Sequence, residues 1–415
     1  MGSPVFFIAL GSWGDVAPVL RVAHGLRLDG VGSRIAVGSD YVARVEAQGF
    51  EAVDLGVQVE PLLASEIGQD WIKASAKGQQ ATVKASAGLF TELAPTASEA
   101  VASSIKPGET LISGMMTFGL GAALAEVRAM PHAQLLFMPL SPSHKATATA
   151  FPVTPWPSGL NRWSTGQAQR ALERVNREWV NNVRWHVGRK AWTLLDYQAA
   201  FESTPVIYGV SPQFLPLAPD WPRHTVVTGH LLAENQVSTQ PGLIEFLEEN
   251  PRAIYIGFGS FNNSLSVREW DIAFEALKLT GRAAVVASPI ATGLVPDAPT
   301  PVYAAGRVSH TWLFPRLASV VHHGGAGVAQ ATAVSGVPSV TVPVVGDQPY
   351  WARRLEQLGV GAKPIPYSRL TARNLADAIN LVTDSPRYVR KVRTLKRLML
   401  NENGPKVAAE FIKSL

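Results

Sequence analysis

The sequence contains no cysteine, which excludes disulfide bonds and thiolate metal sites. Charged residues make up 17% of its 415 residues and hydrophobic residues 47%, a balance that excludes extended disorder. No apolar run approaches the ~18 residues of a transmembrane helix, and no basic leader precedes the first predicted strand. We therefore expect a cytoplasmic globular protein without a transmembrane segment, for which peripheral contact with a membrane stays open.

The sequence also lacks a strong bias in charge. Its formal net charge of +5 comes from 37 basic and 32 acidic residues, and no basic–aromatic stripe stands out. Basic residues cluster near the C-terminus at helical spacing, which is typical of a solvated helix face: Arg387, Arg390, Lys391, Arg393, Lys396 and Arg397. Because no nucleic-acid-binding motif accompanies this cluster, we expect no nucleic-acid partner.

Strands, glycine-containing turns and helices alternate in two parts of the chain. The first part opens with a strand at Phe6 to Leu10, a turn at Gly11 to Asp15 and a helix with one apolar face. The second part opens with Ala253 to Gly257 and continues through strands such as Ser319 to His322. This rhythm predicts an α/β fold with two doubly wound parallel sheets that carry helices on both faces.

Two sheets imply two domains, which the length of the chain also favours. A proline-rich segment from Pro212 to Pro222 and a polar, turn-rich stretch from Thr228 to Gly242 lie between them, so we place the boundary near residue 235. The predicted domains are residues 1–235 and 236–395. Residues 396–415 are predicted to form a C-terminal helix that packs back towards the N-terminal domain.

The stretch from Val320 to Gly327 is the most informative part of the sequence. Its β-branched residues predict a buried strand, its three glycines allow a tight turn with uncovered N–H groups, and the helix that follows presents its positive end to that turn. Such a turn holds phosphate oxygens without a lysine, and a diphosphate is the natural candidate. His323 abuts the turn, where its ring either donates to a phosphate oxygen or is satisfied by backbone.

Polar residues follow other predicted strands as well. Ser260 lies after the first strand of the second domain, Asp347 and Gln348 lie after a later one, and Asp15 follows the first strand of the chain. Each of them has an alternative role as a helix cap, and for Asp15 position alone does not decide between cap and ligand contact. Four strand ends that point polar groups at one place favour a ligand site, in which Asp347 and Gln348 suit neighbouring sugar hydroxyls.

Together these residues resemble the GT-B nucleotide-sugar-dependent glycosyltransferases of the family that includes sterol glucosyltransferases and the enzymes that decorate glycopeptide antibiotics. Gly11 to Val16 is similar to the family's Gly-Ser-Arg-Gly-Asp-Val opening. Val321 to Gly327, with Gly336 to Pro338 and Asp347-Gln348, is similar to its donor signature. The resemblance implies two Rossmann-like domains facing across a cleft. It also implies an inverting, metal-independent transfer of a hexose from a UDP- or dTDP-sugar co-substrate, with no further cofactor.

The resemblance also assigns a role to each matching position. Asp15 matches the general base that deprotonates an acceptor hydroxyl, and Asp347 with Gln348 matches the pair that holds the donor sugar. Arg307 and Val308 fall where the family meets the nucleobase. The residues expected at the diphosphate are Ser260, His323, Gly325, Ala326, Gly327 and Val328.

Three departures from the family pattern bear on these roles. Trp13 replaces a basic residue, which predicts a reshaped acceptor side. Val328 and Ala329 replace two threonines, which removes hydroxyl donors worth about 1 kcal/mol each at the diphosphate. No tryptophan lies near Ala305 or Gly306, where plant relatives stack uracil, so uracil and thymine both stay open.

For the acceptor, apolar residues beside loops of the first domain predict a lipophilic pocket, suited to a natural product, a sterol or a phenol. A segment rich in Pro, Ser and Thr from Ser141 to Thr165 is the predicted acceptor loop. The candidate contacts are Trp13, Met115, Phe137, His144 and Trp156. Two alternatives stay open: a nucleotide-sugar epimerase on the same scaffold, and a non-catalytic partner protein that has lost donor affinity. The sequence does not decide between a monomer and a homodimer.

Overall fold

The computed structural model describes residues 2–68, 70, 74, 79–145, 158–232, 240–258, 267–287, 295, 298–306 and 308–415. The chain divides into two compact units, which we call unit 1 (Met1–Leu231 with Glu402–Leu415) and unit 2 (Leu232–Asn401). Each unit is built on its own parallel sheet. Within the described ranges, no helix combines the length and apolar character needed to cross a bilayer.

Unit 1 contains a seven-stranded sheet in the order β3-β2-β1-β4-β5-β6-β7, with all neighbouring strands parallel. The strand order reverses at the β1–β4 pair, where doubly wound sheets open a crevice at their carboxyl ends. The strands are β1 (Val5–Ala9), β2 (Ser33–Val37), β3 (Glu51–Asp54), β4 (Thr110–Ser113), β5 (His132–Leu136), β6 (Val206–Tyr208) and β7 (Thr225–Val227).

Helices join the strands of unit 1. β1 is buried along its whole length, as in sheets that carry helices on both faces. α1 begins shortly after β1 and packs an apolar side that includes Val16 and Leu20 against the sheet. The helices of unit 1 are α1 (Trp13–Leu28), α2 (Val42–Glu46), α3 (Val59–Ala64), α4 (Gln79–Ser104), α5 (Phe118–Arg128), α6 (Ser158–His186) and α7 (Leu194–Ser203).

Unit 2 contains a five-stranded parallel sheet in the order β10-β9-β8-β11-β12, which reverses at the β8–β11 pair. Its strands are β8 (Ile254–Gly257), β9 (Ala284–Val286), β10 (Val302–Ala304), β11 (Ser319–His322) and β12 (Ser339–Thr341). Its helices are α8 (Leu243–Glu249), α9 (Val267–Thr280), α10 (His310–Leu313), α11 (Ala326–Ser335), α12 (Gln348–Leu358), α13 (Ala372–Asp384) and α14 (Pro386–Met399).

Both faces of the unit 2 sheet are covered. Ile256 and Val321 face one apolar cluster, while Tyr255 and Val320 on the same two strands face another. This alternation follows from the twofold side-chain period of a strand. The basic residues predicted to form a solvated surface lie on α14, where Arg387, Arg390 and Arg393 are exposed.

After unit 2 the chain returns to unit 1 and ends in α15 (Gly404–Lys413). Glu402 fixes the return, because its carboxylate accepts the Ser211 hydroxyl at 2.6 Å and the His230 N–H at 3.2 Å. α15 then packs against α1 at Gly25, where a Cβ atom would lie 2.7 Å from the Pro405 carbonyl oxygen. Of the segment predicted as 396–415, the residues up to Asn401 belong to unit 2.

Candidate functional site

The first group of candidate residues lies where β1 passes into α1 in unit 1. Gly11 has a φ of +152°, and a Cβ atom there would lie 2.4 Å from the Asp15 carboxylate oxygen Oδ2. Any side chain at Gly11 would therefore displace the Asp15 carboxyl group. The glycine is needed both for its backbone conformation and for the space it leaves.

Asp15 makes its hydrogen bonds with Ser12. The Ser12 hydroxyl donates to Asp15 Oδ2 at 3.0 Å, and the Asp15 N–H donates to the Ser12 carbonyl at 2.8 Å. The Ser12 backbone also contributes a hydrogen bond that lowers the pKa of the Asp15 carboxyl group, so the helix-cap role and a ligand contact both stay open for Asp15. The side chain stays accessible to solvent and has room to accept a proton from a ligand.

The surroundings of Asp15 make its carboxyl group more basic than an ordinary aspartate. Protein atoms on several sides reduce its solvation, which raises its pKa above 3.8, while hydrogen bonds to the carboxylate from the Ser12 hydroxyl and the Ser12 backbone lower the pKa by a smaller amount. Because the carboxylate remains accessible, this rise comes from partial loss of water around it and not from enclosure. A raised pKa favours a role in accepting protons.

Trp13, beside Asp15, is covered by a cation. The guanidinium carbon of Arg44 lies 3.2 Å from the centroid of the Trp13 ring, and the Tyr41 ring lies 5.6 Å from it. This is the geometry of a cation–π contact. Trp13 stands where the resemblance expects a basic residue, and Arg44 of α2 supplies a positive charge over its ring.

The described acceptor candidates of unit 1 follow neighbouring strands. Met115 comes after β4 and Phe137 after β5, and both are half-buried at the edge of the sheet where β1 leads to Asp15. His144 is exposed, and its N–H donates to the Asp220 carboxylate while its carbonyl accepts from the Asn161 amide. Trp156 lies outside the described residues.

The second group lies where β11 passes into α11 in unit 2. Gly324 has a φ of +89°, and a Cβ atom there would lie 3.0 Å from the Gln348 carbonyl oxygen. Gly325 is the N-cap residue of α11, without a side-chain capping bond and without an acidic residue in the first turn. The N-cap residue therefore offers no side-chain acceptor to the first N–H groups of α11. Because Gly327, in this first turn, is also exposed, the start of α11 is suited to binding an anion.

Two histidines flank this turn. The ring nitrogen Nδ1 of His322 accepts the Gly324 N–H at 3.0 Å, which holds the turn closed. Burial and, to a smaller extent, the nearby His310 together lower the pKa of His323 to about 4, so the His323 ring is neutral at pH 7. Nε2 of His323 lies 2.6 Å from where a Cβ atom of Gly325 would be. The ring thus lies beside the helix start as a neutral hydrogen-bonding group.

Val328 explains one departure from the family pattern. Its side chain is only 8% exposed and belongs to the apolar cluster of unit 2 that also contains Val320 and Leu313. The side chain therefore points into the core, and only the Val328 backbone is left to contact a diphosphate. At the position where the family has a threonine hydroxyl, this chain has a valine side chain that packs in the apolar core.

Asp347 and Gln348 lie at the start of α12, against the same turn. The Gln348 side-chain oxygen accepts the N–H groups of Val344 at 2.8 Å and Val345 at 3.1 Å, so it shapes the loop that precedes the helix. One oxygen of Asp347 accepts the indole N–H of Trp351 at 2.8 Å. Asp347 occupies the N-cap position of α12 but makes no capping bond, so its carboxylate is oriented by Trp351.

The remaining donor candidates are described only in part. Val308 is half-buried between β10 and α10, and the neighbouring Gly306 N–H donates to the Gln240 side chain at 3.1 Å. Ser260 and Arg307 lie outside the described residues. Across the part of the chain that the structure covers, no three His, Asp or Glu side chains are grouped so as to hold a metal ion.

Sequence reasoning missed four residues that complete these two groups. Ser12 and Trp351 lie three and four positions from the aspartates they bond, a spacing that a helical pattern could have revealed. His310 and Arg44 had no such signal, because they reach His323 and Trp13 only through the tertiary structure.

Comparison with known proteins finds similarity to sugar-transferring proteins. Residues 283–415 match the model of the C-terminal domain of erythromycin biosynthesis protein CIII-like proteins. A sterol 3-beta-glucosyltransferase of Cryptococcus neoformans is 27% identical over 98% of this chain and 27% of its own length. The sterol 3-beta-glucosyltransferase UGT80A2 of Arabidopsis thaliana is 34% identical over 52% of this chain and 35% of its own length. The chain thus spans about a quarter to a third of the length of these relatives.

Solved structures match the whole chain. The glycosyltransferase of kitacinnamycin has a TM-score of 0.71 and 17% identity, over 100% of this chain and 99% of that protein. The glycosyltransferase VinC, solved in complex with dTDP, has a TM-score of 0.70 and 17% identity over 99% of both chains. These likenesses confirm the predicted fold class, GT-B with two Rossmann-like domains. The chain thus has the GT-B fold, is similar in sequence to sterol 3-beta-glucosyltransferases, and resembles the EryCIII-like proteins in its C-terminal residues 283–415.

Proposed function

We propose that the protein is an inverting, metal-independent glycosyltransferase that moves a hexose from a UDP- or dTDP-sugar to a hydroxyl group of a lipophilic small molecule. One observation carries the proposal: the start of α11 is a glycine turn without a capping side chain, flanked by the neutral His323 and the oriented Asp347. Such a turn is suited to a diphosphate that carries a sugar. The sterol and antibiotic relatives suggest a lipophilic acceptor.

In this proposal unit 2 holds the donor. The N–H groups at Gly325, Ala326, Gly327 and Val328, with His323 and Ser260, bind the diphosphate, and the positive end of α11 stabilises it. Asp347 and the Gln348 amide nitrogen bind sugar hydroxyls. Arg307 and Val308 meet the nucleobase. The dTDP complex of VinC supports a thymine donor, and similarity to the UDP-sugar-dependent glycosyltransferase 52 of Dictyostelium discoideum, 30% identical over 50% of this chain and 14% of its own length, supports a uracil donor.

The chemistry is a single displacement at the anomeric carbon. Asp15 takes the proton of the acceptor hydroxyl as that oxygen forms its bond to the anomeric carbon. The bond from that carbon to the diphosphate breaks at the same time, and its electron pair leaves with the diphosphate. The N–H groups of the α11 turn stabilise the growing charge, so no metal ion is required in this scheme. Because the attack comes from the face opposite the diphosphate, the configuration at the anomeric carbon inverts.

The acceptor side is assigned to unit 1. Trp13, Met115 and Phe137 offer apolar surface near Asp15, and His144 and Trp156 belong to the segment that we propose as the acceptor loop. Apolar contacts with a few polar groups favour a sterol, a phenol or another natural product over a soluble sugar.

Product analysis tests this function. Purified protein is incubated with UDP-glucose or dTDP-glucose, each with and without a sterol or phenol acceptor and with and without EDTA. We expect mass spectrometry to detect a hexosylated acceptor with EDTA present, and NMR to show a β-linkage from the α-donor. Conversion of the donor without acceptor would instead establish an epimerase. If calorimetry detects no binding of UDP or dTDP, the non-catalytic alternative holds.

A further inference from the structure

The outward face of α6 carries a row of arginine and tryptophan side chains. Trp163, Arg170, Arg174 and Arg177 are exposed and follow one another at intervals of seven, four and three residues. In a helix with 3.6 residues per turn these intervals place them on one side. Arg162 is exposed next to Trp163. We call these five residues the Arg–Trp row.

The fold itself does not require this row. The opposite side of α6 already packs into the core of unit 1 through Val175, Trp179, Val180 and Val183, all buried. The Arg–Trp row therefore faces outwards in addition to a complete apolar face. An ordinary solvated face would carry arginine without an exposed tryptophan.

Large apolar side chains are exposed at both ends of the row. Leu160 is 49% exposed and Trp163 52% exposed at one end, and Trp185 is 59% exposed at the other. Trp185 follows Trp163 by 22 residues, close to six helical turns, so the two indoles lie on the same side of α6 about 33 Å apart. Val187, in the turn after α6, and Leu195, at the start of α7, are 49% and 75% exposed. So many exposed apolar groups along one surface indicate an interaction site.

The same surface has a surplus of positive charge. Glu173 pairs with Arg177 at 2.9 Å, and Glu126 is shared by Arg184 and Arg189 near Trp185. For Arg162, Arg170 and Arg174 the structure gives no carboxylate within ion-pair distance among the described residues. Their guanidinium groups are suited to phosphate oxygens.

Arginine and tryptophan side by side on a helix are suited to the surface of a membrane. Indole rings lie at the level of the lipid headgroups, apolar side chains enter the boundary of the acyl chains, and arginines attract anionic lipids. A nucleic acid would also use the arginines, but it gains little from burying Leu160, Val187 and Leu195. The apolar half of the surface therefore favours a bilayer.

We infer that the Arg–Trp row, together with Leu160, Trp185, Val187 and Leu195, docks unit 1 on the surface of an anionic lipid bilayer. The Asn161 amide at the start of α6 donates to the His144 carbonyl at 2.7 Å, so docking would bring these two described residues of the proposed acceptor segment towards the lipid. A lipophilic acceptor partitions into that lipid. This last consequence rests on the proposed function, whereas docking itself needs no catalytic activity.

Vesicle binding by the full-length protein tests the inference. Co-sedimentation is measured with vesicles of phosphatidylcholine alone and with vesicles that also contain phosphatidylglycerol. The charge variant is Arg170→Glu with Arg174→Glu, and the insertion variant is Trp163→Ser with Trp185→Ser. The matched control, Arg387→Glu with Arg390→Glu, makes the same change in net charge on α14 of unit 2.

We expect the wild-type protein to bind the anionic vesicles at least about tenfold more tightly than the neutral ones. The charge variant should lose about tenfold or more, the insertion variant several-fold, and the control less than about twofold. Circular dichroism and calorimetric titration with UDP identify any variant that has failed to fold. They also report separately on the proposed donor site.

Three results would overturn the inference. The wild-type protein could bind neither kind of vesicle, the charge variant could bind as the wild-type protein does, or the control could lose as much affinity as the charge variant. The third result would mean that net charge, and not this surface, governs binding. Binding to a short DNA duplex without binding to vesicles would assign the surface to nucleic acid instead.

Discussion

At the scale of single residues, Asp15 is the strongest candidate for catalysis, because its carboxylate is accessible and held by one side chain. We expect Asp15→Asn to lower turnover by a factor on the order of 10² or more, because the amide cannot take the acceptor proton. Donor affinity, measured by calorimetry with UDP and dTDP, should stay within about twofold, since Asp15 belongs to the other unit. Near-normal turnover would remove Asp15 from the role of base.

The raised pKa of Asp15 also predicts how the Asp15→Asn substitution changes the thermal stability of the protein. The folded state favours the protonated carboxyl group, so the ionised form costs stability at neutral pH. Asp15→Asn removes that cost, and its Tm at pH 7 should equal or slightly exceed that of the wild-type protein. The difference should shrink as pH falls through the raised pKa of the folded state towards the ordinary value of 3.8, because the folded wild-type protein then binds a proton at Asp15. A lower Tm at pH 7 would contradict this environment for Asp15.

Gly11 offers a test of geometry without a change in charge. Gly11→Ala places a Cβ atom 2.4 Å from the Asp15 carboxylate and at a φ of +152°, so the carboxyl group must move. We expect turnover to fall by about tenfold or more, because displacements near 1 Å cost rates of this order. Gly32→Ala is the matched control, since no atom lies within 4 Å of its added Cβ. Equal turnover in the two variants would show that the Gly11 contact does not position Asp15.

At the scale of elements, the start of α11 should show opposite effects on stability and on binding. Gly327 is the second residue of α11, and a Cβ atom there meets nothing within 4 Å. Gly327→Glu places a negative charge at the positive end of the helix, which should stabilise the fold by about 0.3–1 kcal/mol relative to Gly327→Gln. The same charge repels a diphosphate.

The Gly327→Gln variant separates charge from size in this experiment. We expect calorimetry to give at least about tenfold weaker UDP and dTDP binding for Gly327→Glu than for Gly327→Gln, while thermal unfolding gives the higher Tm to Gly327→Glu. Equal nucleotide affinity in the two variants would place the diphosphate away from the α11 start. A lower Tm for the glutamate variant would mean that the first turn of α11 is already satisfied by other groups.

Local pattern predicted the elements well where it is strong. The strand at Ser319–His322 has the predicted ends, and the strands predicted at Phe6 to Leu10 and Ala253 to Gly257 are observed within one residue, at Val5–Ala9 and Ile254–Gly257, because each is a short apolar run followed by a glycine-containing turn. The helix predicted to follow Gly327 starts at Ala326, because the last of the turn glycines already belongs to the first turn of α11. The fold class followed from the repetition of these units.

What the sequence could not supply are contacts between residues that are distant along the chain. Arg44 over Trp13 and His310 beside His323 come from separate elements, and no spacing rule connects them. The side of a helix that stays exposed is similarly hidden, because the arginines and tryptophans of α6 alternate in the sequence with residues that turn out to be buried. The Arg–Trp row can therefore be identified only from the exposed side of α6 in the structure.

At the scale of the whole molecule, the path of the chain assigns neighbouring residues to different units. Met399 ends α14 in unit 2, while Ile412 on α15 packs in unit 1, and both side chains are at most 3% exposed. Truncation of either residue to alanine creates a cavity that costs about 2–5 kcal/mol. The cost should fall on one unit in each case, because each unit has its own core.

Hydrogen exchange followed by mass spectrometry tests this division. We expect Ile412→Ala to speed exchange in β1 and α1 of unit 1 and to leave β8 and β11 of unit 2 nearly unchanged, with Met399→Ala showing the reverse. Ile412 makes the sharper test, since its variant should destabilise a strand near the opposite end of the sequence while sparing α14 close by. If both variants speed exchange equally in both units, the units unfold together. In that case the segment Glu402–Leu415 would not stabilise unit 1 independently of unit 2.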